Sequence, residues 1–297
     1  MILLRKVRRG LVRRGRAAKA LIGRRPPVNT VRVDRCYACG SKKVAWETVS
    51  HARLNKTQSV LMCRRCEHIA APANVKDYSK FTSLTQLGNT PRVGSDEAPG
   101  REYHMAKMAA EIMGRGELTV LICGPGRSVD YRWIAKLKNV RKVAVADLMK
   151  LVDDVEWVDL NSPVSERFDI VIACEVVEHF TDPPNDFAKT LSYVKDDGLV
   201  VCSTNINSGR DANNHDYLFI KGHTSYYSPR ALAHIARKND VYVDFRLPEV
   251  ATTKAGGPRK RYVLFTPSVE RQQEISVYFG RHLFAPSEKN PQPALKV

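Results

Sequence analysis

Residues 36–39 read CYAC and residues 63–66 read CRRC, two CxxC pairs with 23 residues between them. Two residues between cysteines let one turn present both thiolates to a single tetrahedral ion, so Cys36, Cys39, Cys63 and Cys66 form a complete ligand set for zinc. Four sulfurs leave no position for water, and the Zn2+ expected there is structural, stabilising a module too small to hold itself together. The intervening KKVAWETVS and TQSVLM read as two strands that bring the pairs together, Gly40 fits the first turn, and His51 and His68 are spare ligands. The other cysteines, Cys123, Cys174 and Cys202, lie in apolar strand-like runs and read as core thiols, so a disulfide framework is not expected.

A second group of chemical residues sits at the ends of apolar runs. In TVLICGPGRSVD (119–130) branched residues stop at Gly124, Gly126 follows, and Arg127-Ser128-Val129-Asp130 opens a helix. A strand feeding a glycine turn into a helix is the usual start of a nucleotide-binding α/β domain. A dinucleotide fingerprint needs glycine where Val129 stands, and the Gly-Lys-Ser/Thr of a phosphate-binding loop is missing. Asp147 closes the next strand, where a carboxylate can accept hydrogen bonds from two ribose hydroxyls, and Asp159 closes the third, placed for an adenine amino group. Two such acids and an incomplete fingerprint suit a nucleoside without phosphates.

These residues need a scaffold, and the pattern from Leu118 supplies one. LTVLIC, KVAVAD, VEWVD, FDIVIAC and LVVCST read as buried parallel strands. Helices are expected near SVDYRWIAKLK and FAKTLSYV, with a short helical link between the second and third strands. The order gives a doubly wound, Rossmann-like α/β sheet with ligands at the strands' carboxyl ends. EYHMAKMAAEIMGRG reads as a helix before the first strand, ended by Gly114 or Gly116. The expected organisation is a basic amphipathic arm (1–30), a zinc-ribbon-like module (31–72), a turn-rich linker and lid segment (73–104), the α/β domain (105–268) and a C-terminal extension (269–297).

VLICGPG, VADL, WVDL and above all FDIVIACEVVEHFTDPPNDFAKTLSYVKDDGLVVCST resemble the class I S-adenosylmethionine-dependent methyltransferases over roughly residues 105–266. The resemblance implies that Gly124 and Gly126 give room for the methionine part, Asp147 holds the ribose, Asp159 with Leu160 flanks adenine, and the Glu175–His179 stretch borders the cofactor. Ile122 stands where the family usually has an acid and Ser128 where it often has a third glycine. Arg127 is then the residue expected to reach the methionine carboxylate.

For the acceptor, CEVV stands where methylases of base amino groups carry their Pro-Pro-aromatic motif, which disfavours such a substrate. HDYLFIKGHTSYYSPRALAHIARKND resembles a segment of methyltransferases that act on sugars and glycans, some of which also carry an N-terminal zinc module. Where the carbon-methylating members of that group have a Tyr-His-Glu-His cluster, this chain has Ile220-Lys221-Gly222-His223. One histidine remains, which favours oxygen transfer with His223 as the base, imidazole titrating near neutral pH. His215 and Tyr226 are second choices. A rival reading puts Glu175, Glu178 and His179 on one helical face, meeting a distant histidine around Mg2+, an arrangement that resembles the small-RNA 3′-terminal 2′-O-methyltransferases.

Charge bears on partners. Residues 1–25 hold ten Lys/Arg and no acid, within a chain of net charge +17. Leu4, Val7, Leu11, Ala18 and Ile22 fall near helical spacing, and Pro26-Pro27 ends the helix. An anionic membrane surface is the expected partner of this arm, with RNA the runner-up. No apolar run approaches the ~18 residues of a membrane span and MILLRKVRRG is too short an apolar stretch for a signal peptide, so the expected location is cytoplasmic, peripheral at the membrane's inner face. The sequence thus points to O-methylation of a sugar hydroxyl on a glycan or glycosylated small molecule. An RNA methyltransferase and a non-catalytic cofactor-binding module are the alternatives.

Overall fold

The computed structural model describes residues 34–81, 83, 86, 87, 93–209, 211–247 and 260–284. The basic arm lies outside them, as do residues 285–297 of the C-terminal extension. Five parallel strands build the main sheet: β4 (Leu118–Cys123), β5 (Val140–Asp147), β6 (Glu156–Asp159), β7 (Phe168–Cys174) and β8 (Val194–Asn205). Two more extend it, β11 (Lys260–Thr266) running antiparallel to both β8 and β10 (Tyr242–Arg246). The seven stand in the order β10-β11-β8-β7-β4-β5-β6. The strand order reverses on either side of β4, which opens a crevice at the carboxyl ends of β4 and β7.

Both faces of the sheet are covered, which is why its strands read as unbroken apolar runs. Val120 and Ile122 of β4 face one cluster with α1 (Arg101–Met113), α2 (Asp130–Ile134) and Ile275 of α5 (Val269–Phe284). Leu121 and Cys123 face the other, with α3 (Pro183–Ser192) and α4 (Pro229–Lys238). Cys123, Cys174 and Cys202 are buried free thiols, as expected of core residues.

Several elements depart from the expected ones. α1 begins at Arg101, inside the stretch read as linker, because Asp130 accepts the Gly100 amide at 2.7 Å and the Tyr103 amide at 3.2 Å and so caps it from another part of the chain. Gly114, at φ +63°, closes it in the left-handed conformation. α2 is a short helix of 5 residues, and no helix forms between β5 and β6. β8 runs through KDDG where a turn was expected.

The N-terminal module is a second sheet. β1 (Val44–His51) and β2 (Lys56–Cys63) form the expected antiparallel pair, and β3 (Ile69–Ala70) follows the second CxxC. The fourth strand, β9 (Ser225–Tyr226), comes from the far side of β8 and had no signal in the sequence. It pairs with β3 and completes the order β1-β2-β3-β9. No helix among the described residues is long and apolar enough to cross a membrane.

Candidate active site and metal centre

The turn after β4 is built for close approach. Gly124 and Gly126 take φ +61° and +59°, and a Cβ on Gly124 would stand 3.0 Å from Cγ2 of Val176. A cleft beside this turn is lined by Gly126, Ser128, Val145, Asp147, Leu151 and Trp157. Burial raises the pKa of Asp147 at the end of β5, although its Oδ1 accepts the Leu148 amide at 2.7 Å. Asp159 ends β6, and its two oxygens accept the Asn161 amide and the Ser162 hydroxyl at 2.8 Å each, which hold its pKa down. Leu160 lies beside it, its amide donating to the Asp147 carbonyl.

Two functional candidates were not read from the sequence. Arg101 is mostly buried, with one guanidinium nitrogen 3.7 Å from Glu175, and its Nε has no hydrogen-bond partner among the described residues. Its neighbour Glu102 is buried and accepts the Ser128 hydroxyl at 3.0 Å. Burial, with Asp130 alongside, pushes the Glu102 carboxyl up to about 8. A glycine followed by an acid in a first helical turn is a helix-start signal, but it fell in a stretch of turn-forming composition. Arg127 itself is exposed.

Behind β7 the chain makes a sharp move. Glu175 has φ +57°, its amide donates to the Ser203 carbonyl at 3.0 Å, and its carboxylate accepts the Ser203 hydroxyl at 2.7 Å. A single 3-10 turn, Val177–His179, follows. Glu175, Glu178 and His179 therefore do not share a helical face. Glu178 and His179 instead meet His223, with one ligand atom from each within 4.8 Å of the others.

The two histidines are oriented by carbonyl groups. His223 Nδ1 lies 3.1 Å from the Tyr217 carbonyl, and His179 Nδ1 lies 2.9 Å from the Gly222 carbonyl and 3.0 Å from the Tyr78 hydroxyl. A carbonyl only accepts, so each Nδ1 carries a proton. Burial lowers the pKa of His179, favouring the neutral ring. Glu178, with no exposed surface, adds a carboxylate. His215 stands apart from the trio, buried, with Nε2 2.7 Å from the Tyr226 hydroxyl.

The four cysteines of the module converge: Cys36 Sγ is 3.6 Å from Cys66 Sγ, and Cys39 Sγ is 3.7 Å from Cys63 Sγ. The contact with Cys66 pulls the Cys36 thiol down to about 3, while burial pushes Cys39 up to about 11. His68 lies at the edge of this group, Nδ1 3.9 Å from Cys36. Four soft ligands at this spacing suit one tetrahedral metal ion.

The family model of the methyltransferase domain matches residues 98–244. Those residues are a class I, S-adenosylmethionine-dependent methyltransferase domain. No curated protein matches the chain. Among solved structures, the 1,6-didemethyltoxoflavin-N1-methyltransferase of Burkholderia thailandensis is 20% identical, with TM-score 0.41, over 55% of this chain and 77% of that one. An O-methyltransferase family protein from the same organism is 13% identical, with TM-score 0.43, over 55% of each chain. Likenesses this distant assign no acceptor.

The methyltransferase domain has the features such a donor needs. The Gly124 turn brings backbone close under Val176 at the end of β4, the orphaned Nε of Arg101 is a donor that suits a carboxylate, and Asp147 ends β5 beside the cleft. Asp159 is already engaged by its own turn, which leaves it less able to receive an adenine amino group.

Proposed function

We propose that the methyltransferase transfers a methyl group to a sugar hydroxyl, with His223 as the base that takes the hydroxyl proton. The convergence of Glu178, His179 and His223 at the crevice of the sheet is the observation that carries this reading. An alcohol is a weak nucleophile, and a basic nitrogen at the acceptor side offsets part of the barrier as the methyl group moves. His223 offers Nε2 for this, its ring fixed through Tyr217 and set edge-on to His179 at 5.0 Å between centroids. The buried Glu178 would stabilise the imidazolium that forms. Donor and acceptor sites share the segment after β7: Glu175 faces Arg101, and Glu178 faces the histidines. Alignment of the two reactants supplies much of the rate. The sugar assignment rests on the resemblance of residues 215–240 to sugar and glycan methyltransferases.

A second reading of the same site is favoured by its ligand count. Two imidazoles held through Nδ1 and one carboxylate, converging within 4.8 Å, would be a ligand set for a divalent cation, with carbonyl partners orienting the rings. Mg2+ or Mn2+ there would polarise and orient a hydroxyl, which suits a ribose 2′-hydroxyl of RNA as well as a glycan. In the four-cysteine module we read a structural zinc, and in residues 1–25 a segment for an anionic membrane surface.

Incubation with methyl-labelled donor and fractionated glycan, small-molecule and RNA pools, read as a 14-dalton increment by mass spectrometry, identifies the acceptor. On that acceptor His223→Ala should lower turnover by ~10²–10⁴-fold and leave affinity for S-adenosylhomocysteine within about twofold. Loss of turnover on chelation, restored by Mg2+ or Mn2+, selects the metal reading. Full activity of His223→Ala removes both.

A further inference from the structure

We propose that the four-cysteine module is a positioning device for the acceptor side of the active site: metal bound by the four thiols fixes residues 224–228, and through them the loop that carries Glu178 and His223. This rests on the reading of His223 as facing the acceptor.

The connection is continuous. β9 belongs to the methyltransferase chain after β8, yet its partner strand is β3 of the module, with Ile69 opposite Tyr226 and Ala70 opposite Ser225. The Ala71 amide extends the pairing to the Thr224 carbonyl at 2.8 Å. Beside the second CxxC, the Cys66 carbonyl accepts the Ser228 hydroxyl, the same oxygen that caps α4 by accepting the Ala231 amide at 3.1 Å. The Glu67 carbonyl accepts Asn207 Nδ2 at 2.7 Å, and His68 packs on the Tyr227 ring at 5.1 Å between centroids.

From 224–228 a second set of bonds reaches the site. The Tyr227 hydroxyl donates to the Val177 carbonyl at 3.1 Å, and the Thr224 amide donates to the Glu178 carbonyl at 2.9 Å. Residue 223 is the next along the chain. Two steps therefore separate the thiols from the Glu178–His223 pair.

The module cannot be a detached bead. Val49, Val60 and Ile69 of its sheet bury against Tyr217, Leu218 and Tyr226, residues of the acceptor segment. A two-residue strand has no stability of its own, so β9 exists only while β3 is held in place. β3 follows the 63–66 knuckle directly, and closed thiolate knuckles fold when metal binds. The Gly124 turn and Asp147, in contrast, follow and end β4 and β5, which lie four and five positions from the outer edge at β10 in a different sheet from the module. The thiols Cys36, Cys63 and Cys66 share a buried cluster with Leu121, Cys123 and Ala146 of those strands, a packing contact without the strand pairing that ties β9 to β3, so donor binding should depend on the metal less than residues 224–228 do.

The test compares zinc-loaded full-length protein with protein stripped by chelator and with Ser228→Ala and Asn207→Ala, variants that keep all four thiols. Zinc content is measured by elemental analysis, donor-site integrity by S-adenosylhomocysteine calorimetry, and order by hydrogen exchange. Stripping should speed exchange in residues 215–228 by at least about tenfold, with product affinity within about twofold. Ser228→Ala and Asn207→Ala should show the same regional loosening with one zinc still bound, and Ser228→Thr should restore protection. Equal loosening of 118–147 and 215–228, or loss of product binding together with zinc, would show that the metal merely supports the whole fold. Unchanged exchange in 215–228 in all variants, or a purified protein without bound metal, would also overturn the proposal. None of these readouts needs the acceptor, so inactive or active His223→Ala judges the acceptor reading separately.

Discussion

Glu102 is a carboxyl placed where it holds its proton. It is buried on the first turn of α1, with Asp130 beside it and the Ser128 hydroxyl on Oε2. Its pKa rises from the ordinary 4.5 to about 8, burial being the main cause. Between those limits the folded chain keeps a proton that the unfolded chain has released. The stability this represents is present in full below 4.5 and is lost as pH rises to about 8. Glu102→Gln cannot titrate, so its melting temperature should fall less between pH 5 and pH 8 than that of the native protein. Parallel melting curves across that range would mean that Glu102 ionises normally. At this scale the sequence is most informative where a residue type alone dictates chemistry: the four cysteines converge as their spacing required. It is silent where a role depends on burial, as with Arg101 and Glu102, whose letters match those of any exposed helix start.

At the scale of elements, the departure after β7 has a specific cause. The letters EVVEH have helical spacing, but spacing assumes a helix from the first residue, and Glu175 instead adopts φ +57°. That single turn sends Glu175 towards Ser203 and Arg101 and leaves Glu178 and His179 to meet His223. β9 was invisible because two residues carry no periodicity. The parallel strands were legible because burial on both faces demands unbroken apolar runs. Their alignment is tied down by Asp169 near the start of β7, which accepts the Thr119 amide and hydroxyl of β4 at 2.8 and 2.7 Å and pairs with Arg115 at 2.7 Å and Lys195 at 3.0 Å. Burial alone would raise its pKa, but these partners bring it below the ordinary 3.8. Asp169→Ala strands the Thr119 donors in the core and should cost about 2–4 kcal/mol in denaturant unfolding. The stability Asp169 supplies is present above pH 3.8 and is lost as pH falls through its lowered value, so the penalty should shrink in acid. A loss under about 1 kcal/mol at neutral pH would show that the two strands hold register without it.

At the scale of the whole molecule, positive charge is concentrated at one end of the chain. The described residues from Asp34 onward cluster as one compact unit, so the Gly124 turn, the Glu178–His179–His223 trio and the cysteine knuckles all belong to the same unit. Ten Lys/Arg fall in the first 25 positions. A cationic segment of that density gains about 1 kcal/mol per Lys or Arg near an anionic bilayer, an attraction that falls away within a Debye length and weakens as salt rises. Removal of residues 1–25 should leave the melting temperature and S-adenosylhomocysteine affinity of the remainder unchanged, because none of the groups described at the active site lies there. The same deletion should abolish sedimentation with vesicles containing phosphatidylserine, which the full chain should show at low salt and lose at high salt. Vesicles of phosphatidylcholine alone should bind neither form. Equal vesicle binding by both forms would place the anionic-surface contact elsewhere on the molecule. Salt-sensitive retention of RNA by the full chain, with no binding to either vesicle, would instead make the arm an RNA-binding segment and favour the ribose hydroxyl as acceptor.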